Sequence, residues 1–99
     1  MEKYEVRELL RKLKRLVKLD RYTTVYRKNR KRSINRGMLK VVVANLTIEE
    51  FNKRELDKDG SGEFVYVFIT HKGEDSFYIK FKFINENEVE IVKFISFHP

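Results

Sequence analysis

The stretch SFYIKFKFI, residues 76–84, puts Phe77, Ile79, Phe81 and Phe83 at every second position, with Tyr78, Lys80 and Lys82 between them. Successive side chains of a strand point to opposite faces, so this period of two predicts a strand with one apolar and one cationic face. On its N-terminal side EFVYVFITH (63–71) is rich in β-branched and aromatic residues, and KGED (72–75) reads as a turn. On its C-terminal side NENE (85–88) reads as a second turn into VEIVKFISF (89–97), whose mixed pattern predicts a strand partly buried on both sides. Two short turns imply an antiparallel meander, and whatever precedes the meander must cover its apolar face.

What precedes it reads as helical. From Glu5 to Leu19, Val6, Leu9, Leu10, Leu13, Leu16 and Val17 follow i, i+3, i+4 spacing, while Arg7, Arg11, Lys12, Lys14, Arg15 and Lys18 occupy the other face. Asp20 and the β-branched run TTV end this helix. The densely basic YRKNRKRSINRGMLK (26–40) predicts a short helix or an irregular turn region up to Gly37. MLKVVVANLT (38–47) suits a buried helix or a strand equally. Thr47 with Glu50 has capping-box spacing, which predicts helix over Ile48–Leu56. The fold class expected is α+β, with N-terminal helices packed on a C-terminal antiparallel β-sheet, in one domain spanning residues 1–99.

ELDKDGSGEF (55–64) imitates the start of a calcium-binding loop, with Asp57, Asp59, Ser61 and Gly62 at ligand and turn positions. Such a loop needs a bidentate carboxylate at its twelfth position, and counting from Asp57 that position is Phe68. A strand former follows where an exiting helix should begin, so the segment reads as a turn joining helix to strand, without metal.

Composition narrows the function. The chain has no cysteine, which removes disulfides, thiolate metal sites and cysteine nucleophiles, and fits a reducing, cytoplasmic setting. No run is long and apolar enough for a signal or a membrane span. Lys and Arg number 22 against 15 Asp and Glu, a net charge of +7, and no acidic residue occurs from Arg21 to Ile48. That asymmetry points to a polyanionic partner such as nucleic acid.

Two histidines are present, and His71 reads as an exposed strand-end residue. Tyr78 and Lys80 share one face of their strand, as Ser96 and His98 share one face of theirs. Should those faces coincide, lysine, tyrosine and histidine converge, a set that can cleave RNA without a metal. A base takes the ribose 2′-hydroxyl proton, cations stabilise the phosphorane, and an acid protonates the leaving oxygen. Histidine suits either proton transfer, its reference pKa being ~6.5.

The order of RYTTV, NLTIEEFNKRE, GEFVYVF, SFYIKFKF and VKFISFHP resembles the motility quorum-sensing regulator (MqsR) toxins, RelE-like endoribonucleases of type II toxin–antitoxin systems. The resemblance runs from about Leu9 onward and is clearest in LTIEEFNK, FYIKFKF and ISFH. It implies cleavage of mRNA without a metal or other cofactor, and inhibition by a cognate antitoxin protein; single-stranded RNA is the expected substrate because its unstacked bases are accessible for contact. It also implies that Lys53, Tyr78, Lys80 and His98 are catalytic. A glutamine found on the first long strand of some relatives has no clear counterpart in FVYVFITH. Arg27, Lys28, Arg30, Lys31, Arg32, Arg36 and Lys82 are the expected RNA contacts, because cations neutralise phosphates without reading bases. The alternatives are a non-catalytic RNA- or DNA-binding module using the same charge, and a domain whose basic face docks an acidic protein.

Overall fold

The computed structural model describes residues 1–25 and 34–99. Helix α1 spans Lys3–Lys18 and buries the six apolar residues whose spacing predicts it. It stops at a Schellman turn: Asp20, at φ 61°, lets its own amide reach the Val17 carbonyl and the Arg21 amide reach that of Leu16. A second helix, α2, spans Arg36–Ala44, with the Asn35 side chain accepting from the Met38 amide as N-cap. Leu39, Val42 and Val43 form its buried stripe, which resolves the helix-or-strand ambiguity of MLKVVVANLT.

Five strands form one sheet in the order β1-β5-β4-β3-β2: β1 Tyr22–Thr24, β2 Phe51–Leu56, β3 Phe64–Lys72, β4 Asp75–Glu86 and β5 Val89–His98. The expected antiparallel meander is its centre, β3-β4-β5. Its turns are two residues long; Asn87 and Glu88 both take positive φ, as a type I′ hairpin requires. Two strands that the sequence pattern does not announce close the edges. The short β1 pairs in parallel with β5, which makes the sheet mixed.

The second addition corrects the helix expected over Ile48–Leu56. The Thr47–Glu50 capping box does form, but it nucleates only a 3-10 turn, Ile48–Glu50. From Phe51 onward the chain is β2, antiparallel to β3. Thr70 of β3 donates to Glu50, and the Phe51 ring packs edge-on against Phe68 at 5.4 Å. A continued helix would leave the edge of β3 unpaired, with its amides and carbonyls exposed.

Helices α1 and α2 cover one face of the sheet. Their apolar residues form a single core with Phe68, Phe77, Ile79, Phe81, Val92, Phe94 and Phe97, and Phe83 packs at its margin. The inward set on β4 is thus the one that the alternation of residues 76–84 predicts. The opposite face carries no helix among the described residues, and no described helix is long and apolar enough to cross a membrane.

Candidate active site on the open face of the sheet

The open face is organised in rows by strand register. Lys53 of β2 stands beside Val67 of β3, Lys80 of β4 and Ser96 of β5. The adjoining row holds Ile69, Tyr78 and His98. Lys53, Tyr78, Lys80 and His98 therefore share one face, although β2 and β5 are separated by two strands.

Two irregularities make this possible. In β2 the register shifts between Phe51, opposite Phe68, and Lys53, opposite Val67. Strict alternation would give Phe51 and Lys53 the same face; the extra residue, Asn52, sends Phe51 toward the helices and Lys53 outward. In β5 a second shift falls between Phe94, opposite Phe81, and Ser96, opposite Lys80. Ile95 is the extra residue there. Phe94 and Phe97 both join the core while Ser96 and His98 face outward, which is the physical cause of that strand's mixed pattern.

The floor between the polar groups is apolar, since Val65 and Val67 are buried outside the helix-side core. Over it, Lys53 and Lys80 reach the same carboxylate: Glu55 accepts from Lys80 at 3.2 Å and pairs with Lys53 at 3.5 Å, one oxygen to each. The hydrogen bond from Lys80, helped by the charge of Lys53, holds Glu55 below the usual carboxylate range. Both side chains keep contact with solvent, at 52% exposure for Lys53 and 25% for Lys80.

In the next row the Tyr78 and His98 rings stack at 5.5 Å and 23°. His98 Nδ1 lies 2.9 Å from the main-chain oxygen of Pro99. A carbonyl oxygen only accepts, so Nδ1 carries the proton in that contact and Nε2 is left for other chemistry. Paired rings beside two cations offer a stacking surface for an unstacked base and a cradle for its phosphate.

Lys82 behaves differently from the RNA contact expected of it. It is 5% exposed, and its ammonium is taken by Asp57 at 2.7 Å, Asp59 at 3.1 Å and Glu63 at 3.1 Å. Those carboxylates belong to the loop between β2 and β3, the segment that imitates a calcium site. Side chains of Asp57, Asp59 and Ser61 accept from the amides two residues on, and Gly60 and Gly62 take φ 79° and 78°. The loop thus curls its acidic groups around a cation, and that cation is Lys82. Its hydrogen bond to Asp57 raises the Lys82 pKa against the opposing effect of desolvation.

Arg36 lies at the start of α2, where it donates to the Tyr22 hydroxyl at 2.8 Å and pairs with Asp20, its side chain 68% exposed. Tyr22 belongs to β1, the sheet edge opposite β2. Arg27, Lys28, Arg30, Lys31 and Arg32 lie outside the described residues. His71 is exposed at the end of β3, as its sequence position predicts. Among the described residues no group of three or more His, Cys, Asp or Glu is placed to hold a metal ion.

Glu55 is the site residue that sequence reasoning passes over. Its signal is the i, i+2 spacing from Lys53, which means nothing on a helix but gives a shared face on a strand. The family described as motility quorum-sensing regulator, toxin of MqsA, matches residues 7–99. No curated protein and no solved structure matches the chain.

Proposed function

The chain belongs to the motility quorum-sensing regulator toxin family, and from that premise we propose that it is a metal-independent endoribonuclease that cleaves single-stranded mRNA. The observation carrying this reading is the convergence of Lys53, Tyr78, Lys80 and His98 on the sheet face that no described helix covers, from strands at both ends of the site. Lys53 and Lys80 grip the scissile phosphate and stabilise the charge that grows on it. Tyr78 orients the nucleotide through its ring and hydroxyl, and His98 exchanges a proton through Nε2. The basic tract from Arg27 to Arg36 tracks the RNA backbone; Lys82, enclosed by its carboxylates, is left out of that set. As a toxin of this family it is held inactive by a cognate antitoxin protein, and residues 1–99 act as one domain.

Incubation of purified protein with an unstructured RNA in EDTA tests the reading. The wild type is expected to release fragments ending in a 2′,3′-cyclic phosphate, with Lys53→Ala and His98→Ala each slower by about 10²-fold or more. Equal cleavage by all three proteins would identify a contaminant. Salt-dependent binding without any product would favour the non-catalytic module.

A further inference from the structure

We propose that Glu55 is the general base of the cleavage step, with His98 as the general acid. This rests on the endoribonuclease reading above. In-line attack by a ribose 2′-hydroxyl needs one group that accepts a proton and one that donates it. Lysine and tyrosine side chains as types hold their protons at neutral pH, so Lys53, Lys80 and Tyr78 supply charge and hydrogen bonds but no acceptor. Among the described residues, the ionisable acceptors beside Lys53, Lys80 and Tyr78 are the Glu55 carboxylate and the His98 imidazole; Asp57, Asp59 and Glu63, further along the same face, are taken up by Lys82.

Position separates their roles. Glu55 bridges Lys53 and Lys80, one oxygen to each, as the two non-bridging oxygens of a phosphodiester would. A phosphate gripped by those lysines comes to lie against this carboxylate, together with the 2′-hydroxyl of the same nucleotide. His98 stands in the neighbouring row with Nδ1 on the Pro99 oxygen and no partner for Nε2 among the described residues, which suits it to the leaving 5′-oxygen.

The step balances. Glu55 takes the 2′-hydroxyl proton, the 2′-oxygen bonds to phosphorus, and the bond from phosphorus to the 5′-oxygen breaks. That oxygen takes a proton from the His98 imidazolium, leaving a 2′,3′-cyclic phosphate and a 5′-hydroxyl. Solvent returns both residues to their starting states. Among the described residues, the charged groups facing Glu55 are Lys53 from its own strand and Lys80 from β4; β3 contributes Val65 and Val67, which do not titrate. As the lysines transfer hydrogen bonds to the phosphate, the Glu55 carboxylate loses what holds its basicity down, so substrate binding itself activates the base.

Glu55→Gln keeps the size of the side chain and removes the proton acceptor. With unstructured RNA, E55Q is expected to lower kcat by about 10²–10⁴-fold. It should also abolish the acidic limb of the pH–rate profile while H98A abolishes the alkaline limb. E55Q should bind a fully 2′-O-methylated RNA, which has no 2′ proton to remove, as tightly as the wild type or more tightly, because an internal competitor for the lysines is gone. E55D is expected to retain more activity than E55Q. A kcat for E55Q within about threefold of wild type, or an acidic limb that survives in E55Q and vanishes in H98A, overturns the assignment. So does a loss of methylated-RNA binding as large as the loss of rate, which would make Glu55 a positioning residue for the two lysines. If the wild type leaves RNA intact while folded, the endoribonuclease reading itself falls.

Discussion

Lys80 and Lys82 leave the same strand on the same face, two positions apart, yet their ammonium groups meet different company. Lys80 shares one carboxylate, Glu55, with Lys53; Lys82 is surrounded by three, Asp57, Asp59 and Glu63. Around Lys80, among the described residues, two cations face one anion, so positive charge is left over, which in the proposed function meets a phosphate. Around Lys82 the balance is reversed, and the excess acid closes over the cation. The ratio of carboxylates to ammonium groups, set by which end of the β2–β3 hairpin lies alongside, separates a lysine that can bind substrate from one that holds the fold. The hairpin carries both: Lys53 and Glu55 on its strand, the acidic loop at its tip. Clamping the loop onto Lys82 therefore also places the strand that supplies the site.

Exchanging the two lysines for neutral residues should separate the roles. Lys80→Met is expected to cost about 10²-fold or more in cleavage rate, with a melting temperature close to wild type, since its partner Glu55 is half-exposed and can be rehydrated. Lys82→Met is expected to lower stability by about 2 kcal/mol, the scale of hydrogen bonds to charged groups. That is a fall in Tm of roughly 10 °C for a chain of this size. Its RNA cleavage, measured well below that temperature, should change far less than that of the Lys80 variant. Matching losses of rate in the two variants would erase the distinction between them.

A smaller effect follows from acid titration of the clamp. The Ser61 hydroxyl and amide, together with Lys82, hold the Asp59 carboxyl well below its ordinary range. A depressed folded pKa contributes stability that is complete above the unfolded value of ~3.9 and is lost as pH falls through the folded one. The raised pKa of Lys82 works in the other direction, contributing below ~10.4 and fading as pH rises through the folded value. The stability gap between wild type and Lys82→Met should stay flat from roughly pH 5 to 10 and narrow below about pH 4. Chemical denaturation across that range measures it, and a gap that widens in acid would contradict the clamp. Smallest of all is the response to calcium: with an ammonium already among the acidic groups, millimolar calcium should leave the wild-type Tm unchanged. A calcium-dependent rise of several degrees would mean that the loop binds the metal after all.

Fold and site differ in how far the sequence discloses them. Helix α1 and the central strand β4 are legible because each follows a local period with one apolar face, and β3 and β5 because β-branched and aromatic runs are bounded by short turns. Strand β2 is hidden because FNKREL is polar, follows a genuine capping box, and becomes a strand only when the edge of β3 is there to pair with. Strand β1 is three residues long and depends on β5 in the same way. Within the site, Tyr78 and Lys80 follow from alternation, and the shared face of Ser96 and His98 from their spacing. That Lys53 joins them rests on the unpaired Asn52, and that His98 faces Tyr78 while Phe94 and Phe97 stay in the core rests on Ile95.

By itself, then, the sequence settles what short-range physics can settle: the helical stripe, the alternating central strand, the turns and the cationic surplus. The outward turn of Lys53, the union of the four site residues, the place of Glu55 between two lysines and the enclosure of Lys82 belong to the tertiary structure. Each depends on strand register or on charges 19 or more positions apart in the chain meeting in space, as Lys82 meets Glu63 and Asp57. A bulge of one residue reverses every face beyond it, and a window of local sequence carries no record of the partner strand that makes the bulge necessary.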